Sequence, residues 1–471
     1  MKEESRNPGC EMNIKIVEPY YFDKRYDVRS LTPALGPIIV ASLLKQSGHQ
    51  VEVISEYVTK LNPEELNQAD LVGVSITTYN ATKGYEIARN ISKPVVFGGL
   101  HASLLPEEPL NRGGDYVIQG DGHPIVDLAD LLEGEKNASL GRIPNLVYRT
   151  NGKVKYNRTE TKALNIVPDF GLVRHYYRFN LNRLLRIPLL VSASRGCSFD
   201  CTFCCIKEVY EDFKKKDIGV IISDIRSQVR NQHFFAKFLP KGIWITDDEF
   251  FTDKGWAKNF LKALSRLEMN YRFVIQARVD IAYDDELLNL MRKANFGRVY
   301  LGIESLNPKS LRNFNKGFSL EDIEYAVKKI RSYGIEVHGL FVFGDDEFRK
   351  GDGLNVAKFA KQYGLSGVLI QPLTPFPGTK LFNRLKEEGR ILHEDWHDYN
   401  GKVVFVPKKL TADELQEEVY TCYKKIYSPF RILKSLLLVK KGFKLGALGE
   451  AIMRHLEWRR RKNYIKDKLS N

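Results

Sequence analysis

Six cysteines occur in the 471-residue chain, and four of them fall within nine residues, in SRGCSFDCTFCCIKEVY. Cys197, Cys201 and Cys204 follow a C-x3-C-x2-C spacing. Three thiolates on one tight loop suit three irons of a 4Fe–4S cube and leave the fourth iron open to a small molecule. A structural zinc site needs a second Cys or Cys/His pair to close its tetrahedron, and none lies nearby at zinc spacing. A disulfide fits neither this spacing nor the reducing compartment expected for the chain. Cys205 is read as packing behind the loop, and Cys10 and Cys422 as incidental.

The cysteines follow a short apolar run, IPLLVSASRG from Ile187. Five further runs succeed it with helical stretches between them: GIWITDD, RFVIQAR, RVYLGIES, VHGLFVFG and GVLIQPLTPFPGT. Six strand–helix units in a row predict a partial (β/α)6, TIM-like barrel over residues 187–400. A helical, basic C-terminal region over 401–471 follows, with Thr411 and Glu414 as a capping box. Upstream, strands IKIVEP, VEVIS, ADLVGVSI, PVVFGG and DYVIQGDG alternate with helices over residues 12–135. That alternation predicts a Rossmann-like open parallel sheet. A connector over 136–186 contains a hairpin turning at Asn151–Gly152. The fold class is therefore α/β throughout. Ligands of open parallel sheets bind beyond the carboxyl ends of the strands. Those ends carry Pro19–Tyr20, Ser75–Thr78, Gly98–His101 and Gly120–Gly122.

Apolar residues make up 43% of the chain and charged residues 28%, which excludes a disordered chain or a collagen. The longest apolar stretch, ALGPIIVASLL from Ala34, falls short of the roughly 18 residues of a membrane span. The N-terminal MKEESRNPGCEMN lacks a signal-peptide core, so a cytoplasmic protein is expected. The net charge is +14, but residues 424–471 hold 14 Lys and Arg against 3 Asp and Glu. The body is near neutral and the tail basic. A solvated helical face is one reading of the tail; the other is peripheral contact with an anionic membrane. Nucleic acid is not an expected partner.

The C-x3-C-x2-C loop with Phe203 before its last cysteine, placed after the first barrel strand, resembles the radical S-adenosylmethionine superfamily. The resemblance implies a 4Fe–4S cluster on Cys197, Cys201 and Cys204. Its open iron chelates S-adenosylmethionine, with Phe203 among the residues expected to contact it, and reductive cleavage yields a 5′-deoxyadenosyl radical. Further residues follow strand by strand. The second strand ends in TDDEFF, where many relatives carry Gly-Gly-Glu; Asp247 and Asp248 stand there instead, as contacts to S-adenosylmethionine or as helix caps. Gln276 and Arg278 end the third strand, with Arg278 facing the methionine carboxylate or a buried ion pair. Gly302 and Glu304 in YLGIES resemble the ribose-binding element, a core salt bridge being the other reading of Glu304. Gly344 allows close backbone approach, and Leu373 packs on adenine or belongs to a proline-rich turn.

The N-terminal sheet resembles the cobalamin-binding domain that precedes such barrels. LTPALGPIIVASLLKQSGHQVEVI, GVSITTYN, VVFGGLHASLLPEE and DYVIQGDGH carry the likeness. It implies cobalamin against Tyr20, Ser75, Thr77, Thr78, Gly98, Gly99, His101, Gly120 and Gly122, with the small residues leaving room for the nucleotide tail. The D-x-H-x-x-G signature, whose His ligates cobalt, is absent. Cobalamin without a histidine below the cobalt is therefore expected, with His101 as a cap or hydrogen-bond group. His123 replaces the acidic residue that many relatives have after Gly122.

Together these likenesses imply a cobalamin-dependent radical enzyme that methylates an unactivated carbon of a small-molecule or lipid-like substrate. The catalytic side chains themselves are not assigned. Flavodoxin or ferredoxin is the type of electron donor implied. Oxidative cyclisation and ring rearrangement stay open. A methylthiotransferase is disfavoured, because Cys10, Cys205 and Cys422 make no second compact trio. A non-catalytic iron–sulfur or corrin sensor is the remaining alternative; it would not turn over S-adenosylmethionine when reduced.

Overall fold

The computed structural model describes residues 11–20, 32–134, 139–162, 164–176, 189–231, 241–267 and 269–427. Two units make up the chain, one from Met1–Tyr21 and Leu31–Leu181, the other from Phe22–Ser30 and Asn182–Asn471. The basic tail beyond residue 427, Cys10 and residues 21–31 lie outside the described residues.

In the first unit, β1 (Asn13–Glu18), β2 (Gln50–Ser55), β3 (Leu71–Ser75), β4 (Val95–Gly98) and β5 (Tyr116–Ile118) are parallel, in the order β2-β1-β3-β4-β5. The strands are short and mostly apolar, and charge is admitted at the β2 edge, where Lys15 of β1 lies 3.8 Å from Glu52 of β2. Ile14, Val53, Leu71, Val72 and Phe97 are fully buried. Helix Leu35–Gln46 covers the sheet with Leu35, Ile38, Ile39, Ala41 and Leu44. The chain runs from β1 outward to β2 and then crosses back to β3. The switch point of the sheet, where ligands of such folds bind, therefore lies between β1 and β3.

The hairpin of the expected connector is part of this sheet. β6 (Leu146–Thr150) pairs antiparallel with β5, and β7 (Lys153–Tyr156) pairs with β6. Asn151 and Gly152 take φ values of +48 and +71, the two left-handed residues that a tight hairpin turn requires. The reason is local: Leu146 and Val147 are buried, so β6 needs the sheet to cover it.

The second unit holds six parallel strands in sequence order: β8 (Leu189–Val191), β11 (Lys241–Ile245), β12 (Tyr271–Ala277), β13 (Phe296–Glu304), β14 (Glu336–Phe343) and β15 (Gly367–Pro372). A two-stranded ribbon of β9 (Ser194–Arg195) and β10 (Lys214–Lys215) is separate. Among the described residues β8 and β15 do not pair with each other, so the barrel is partial. Alternation divides the side chains. Ile243, Ile245, Val299, Leu301, Val337 and Phe341 pack in one core with helix residues such as Phe260, Leu287 and Ile323. Trp244, Tyr300 and His338 point to the opposite, inner face. There Trp244 stacks on Tyr300 with centroids 5.4 Å apart, and Tyr300 meets His338 at 4.7 Å.

The segment after β15 is fastened to this barrel. Helix Ala412–Ile426 opens with the Thr411–Glu414 capping box. Its Tyr423 hydroxyl accepts from the Ile370 N–H at 2.8 Å and donates to the Ile370 carbonyl at 2.9 Å. Tyr427 does the same for Val368, at 2.9 and 3.0 Å. These are the backbone groups that the edge strand β15 would otherwise leave unpaired. Tyr423→Phe is therefore expected to lower stability by about 1–3 kcal/mol, because it strands a buried donor and acceptor at Ile370. A shift of the denaturant midpoint at unchanged slope checks it. Asp346, just past β14, is tied to Arg384, Arg390 and Lys408 at 2.9, 2.9 and 3.0 Å.

Candidate functional site

The cysteine loop leaves β8 and returns through the β9–β10 ribbon, where Arg195 faces Lys214 and Ser194 faces Lys215. Its shape is set where it starts. Gly196 has φ +78, and a Cβ there would meet the Asp212 carbonyl oxygen at 2.5 Å. The Gly196 N–H donates to Asp248 Oδ2 at 3.2 Å. Asp247 is buried and already engaged: the Ala193 N–H donates to Oδ1 at 2.7 Å and the Ser194 hydroxyl to Oδ2 at 2.6 Å. Burial pushes the Asp247 carboxyl up to about 6. Neither residue caps the next helix; Asp253 does, accepting from the Trp256 N–H at 2.9 Å.

Two distant segments grip the rest of the loop. After β13, Phe314 and Asn313 offer their carbonyls to the N–H and hydroxyl of Thr202, at 3.3 and 3.0 Å, and the Asn315 amide donates to the Asp200 carbonyl at 2.9 Å. Phe203 meets Phe314 edge-on at 5.1 Å, so it packs behind the loop. After β15, the Leu381 N–H donates to the Thr202 carbonyl at 3.1 Å, and Lys380 pairs with Asp200 at 2.5 Å. The Arg278 guanidinium lies 3.6 Å from the centre of the Phe199 ring, donates to the Lys316 carbonyl at 2.5 Å and pairs with Asp280 at 3.4 Å.

The thiols fit a cluster. Cys197, Cys201, Cys204 and Cys205 are free and half-buried. Among the described residues no three Cys, His, Asp or Glu groups stand close enough to hold a single metal ion. Burial raises the Cys197 thiol and pushes Cys204 up to about 12, so iron must displace the protons on binding. Cys205 precedes the short helix Ile206–Val209, and burial pushes its thiol up to about 11.

The other residues singled out from the barrel lie at or near the same carboxyl rim. Gln276 is exposed, on the face of β12 that carries neither Phe273 nor Ile275. Glu304 is buried with φ +64, and Lys316 Nζ lies 3.0 Å from its Oε1. A Cβ on Gly302 would reach Glu304 Oε1 at 2.9 Å. Gly344 makes room for Leu415, 2.3 Å from where its Cβ would be, and Leu373 is buried in the core. Lys316, Phe199 and Lys380 were not picked out from the sequence, and neither was Glu249, a buried carboxyl that burial pushes up to about 7. The aromatic inside the cysteine loop was the one available signal, for Phe199.

The first unit gathers its candidates at the carboxyl ends of β1, β3, β4 and β5. Tyr20 packs on Tyr57 at 4.4 Å, and its N–H donates to Glu56 at 2.9 Å. Buried Glu18 accepts from Ser55 at 2.6 Å and from the Ala34 N–H at 3.0 Å, which ties β1 to β2 and to the start of a helix. Thr77 and Asn80 close a capping box. Ser75 and Gly98 end β3 and β4 side by side, and a Cβ on Gly98 would meet nothing nearer than the Ile118 carbonyl oxygen at 3.9 Å. That open space suits a large ligand. Gly99 has φ +93, and its Cβ position is 2.5 Å from the Ile76 carbonyl oxygen. His101 is fully buried between Thr78, at 3.3 Å, and Glu108, at 3.4 Å. Both ring nitrogens thus have neighbours within the unit, an arrangement that does not suit a cobalt ligand. The Gly120 N–H donates to Ser103 at 2.8 Å, and Gly122 abuts Val40. Burial pushes the His123 ring down to about 4.

Family models match in the same places. The radical SAM superfamily model covers residues 191–350, the B12 binding domain model covers residues 26–129, and a domain of unknown function covers residues 379–452. The chain carries a radical SAM domain and a B12-binding domain. A radical SAM domain implies a 4Fe–4S cluster and S-adenosylmethionine, and a B12-binding domain implies cobalamin. The protein is accordingly an enzyme. The chain is 25% identical to a bacteriochlorophyllide d C-12(1)-methyltransferase of Chlorobaculum tepidum over 87% of its own length and 86% of that protein's. It is 23% identical to an anaerobic magnesium-protoporphyrin IX monomethyl ester cyclase of Rubrivivax gelatinosus, over 88% and 77%. Its fold is similar to that of the radical S-adenosylmethionine methyltransferase TsrM of Kitasatospora setae, with a TM-score of 0.68, 16% identity, and 96% and 100% of the two chains covered. The segment matched by the domain of unknown function contains Lys380 and Leu381, which hold the cysteine loop, and Tyr423 and Tyr427, which hold the barrel edge.

Proposed function

We propose that this radical SAM enzyme is a cobalamin-dependent methyltransferase acting on an unactivated carbon of a small-molecule or lipid-like substrate. One observation carries the reading: a braced three-thiol loop on a barrel rim and a glycine-lined sheet end occur in one chain. The length shared with a methyltransferase that acts on a tetrapyrrole supports it. When bound, the cluster with S-adenosylmethionine supplies hydrogen abstraction and cobalamin supplies the methyl group. The chain's own part is to bind and orient. Cys197, Cys201 and Cys204 hold the cluster. Asp247, Asp248, Phe203 and Arg278 keep the loop in its ligating shape. Gln276, Gly302 and Glu304 stand at the rim that receives S-adenosylmethionine, with Glu304 accepting from the sugar, whereas Gly344 and Leu373 are taken up by packing against Leu415 and in the core. Ser75, Thr77, Gly98, Gly99, Gly120 and Gly122 cradle the corrin, with Tyr20 at its edge.

Likeness to the cyclase favours oxidative ring closure as the second reading. No helix among the described residues is long and apolar enough to cross a membrane. A cytoplasmic enzyme, reduced by a flavodoxin- or ferredoxin-type donor and meeting membranes only through its basic tail, fits the sequence. The test is anaerobic reconstitution with iron, sulfide and hydroxocobalamin, removal of unbound corrin, then addition of reductant and methyl-labelled S-adenosylmethionine. Retained corrin, 5′-deoxyadenosine and label transferred to a lipid or tetrapyrrole fraction are expected. Deoxyadenosine without retained corrin would overturn the methyl-transfer reading.

A further inference from the structure

Glu304 is held at φ +64, in the left-handed region that a residue with a Cβ rarely adopts. The register of β13 against β14 slips between Gly302 and Glu304, and the missing side chain at Gly302 makes room for the carboxylate. Both features aim Glu304 into a cavity of about 340 Å³, which Ser305, Asn307, Val342 and Asp352 also line. Glu304 Oε1 accepts from Lys316 Nζ at 3.0 Å. Among the described residues Lys316 is the side-chain partner of the Glu304 carboxylate, and it engages Oε1. Both side chains are buried, with Lys316 5% and Glu304 9% exposed.

Lys316 is itself fixed. Its N–H donates to the Leu311 carbonyl at 3.1 Å, its carbonyl accepts from Arg278 at 2.5 Å, and its ammonium lies 5.5 Å from the centre of the Phe318 ring. The neighbouring Asn315 is the residue that grips the cysteine loop at Asp200. A buried carboxylate without a countercharge is strongly disfavoured, and a buried cation with one fixed partner orients that partner.

We propose that Lys316 is a positioning residue for the nucleoside half of S-adenosylmethionine. It pins Oε1, so that Oε2 is presented to accept from a sugar hydroxyl. The proposal rests on the reading of Glu304 as the ribose acceptor. It adds that sugar recognition depends on a cation from outside the strand, carried on the turn that braces the cluster loop.

The test uses the anaerobically reconstituted full chain and three unreactive probes: S-adenosylhomocysteine and its 2′-deoxy and 3′-deoxy counterparts. Equilibrium dialysis reads their affinities. The unaltered chain is expected to prefer the ribo probe over at least one deoxy probe by about tenfold or more. Lys316→Met is expected to weaken the ribo probe by about ten- to a hundredfold, to leave the disfavoured deoxy probe nearly unchanged, and so to erase the preference. Lys316→Arg is expected to keep most of it. Glu304→Gln combined with Lys316→Met is expected to be no worse than Lys316→Met alone, because the two act as one unit. A Lys316→Met chain that keeps the full preference, or that weakens all three probes equally, overturns the proposal while the enzyme reading stands. Failure of the unaltered chain to bind any of the probes overturns both.

Discussion

Alanine at Cys197, Cys201 or Cys204 is expected to abolish 5′-deoxyadenosine formation, whereas alanine at Cys205 or Cys422 leaves it measurable. The first three carry the C-x3-C-x2-C spacing on the strapped loop between β9 and β10, and Cys205 follows them at the start of the short helix Ile206–Val209. Cys422 is on helix Ala412–Ile426 and faces the core. With one thiolate gone, a second iron lacks a protein ligand, and the cluster is exposed to loss and oxidation. The checks are iron and sulfide content after anaerobic reconstitution and the absorbance of the cluster. A chelator applied to the unaltered protein should give the same inactive state, reversed by iron and sulfide. Full iron content and activity in the Cys201→Ala chain would remove the central reading.

Asp247→Ala is expected to cost about 3–5 kcal/mol and most of the reconstituted iron, without Asp247 touching a cofactor. Its carboxylate takes the Ala193 N–H and the Ser194 hydroxyl, which join β8 to the base of the cysteine loop. Removing it leaves two buried donors without an acceptor, a penalty of about 1–3 kcal/mol each, and frees the strand end from which the loop starts. Asp248→Asn should be milder, because only the Gly196 N–H at 3.2 Å depends on it and an amide oxygen still accepts. Thermal unfolding together with iron content separates the two. If Asp247→Ala keeps its stability and its iron but weakens S-adenosylmethionine binding, the residue is a cofactor contact and not a brace.

What was legible in the chain is what short-range pattern encodes. The C-x3-C-x2-C spacing places three thiolates on one loop whatever surrounds it. Apolar runs of strand length alternating with amphipathic stretches specify parallel α/β layers, and Asn151–Gly152 specifies a hairpin, because these depend on neighbours a few residues apart. The sequence likewise pointed to small residues at Gly98 and Gly99 before any sheet end was seen.

What the tertiary structure decided are contacts between residues far apart in the chain, which leave no periodic trace. Asn315 lies 115 positions from Asp200, and Lys380 lies 180 positions from it. Nothing in NFNKG or in GTKLF announces that these turns clamp a cysteine loop. The hairpin's place in the sheet depended on burial of Leu146 and Val147 against β5, not on its turn. Asp247, read as a contact to cofactor or helix, is occupied by the backbone of another strand. Glu304 shows the division most plainly. Its position at a strand end follows from the sequence, but its strained backbone, its buried lysine and the one oxygen left for a ligand exist only once β12, β13 and β14 lie side by side. A charge can be buried only where the fold supplies its partner.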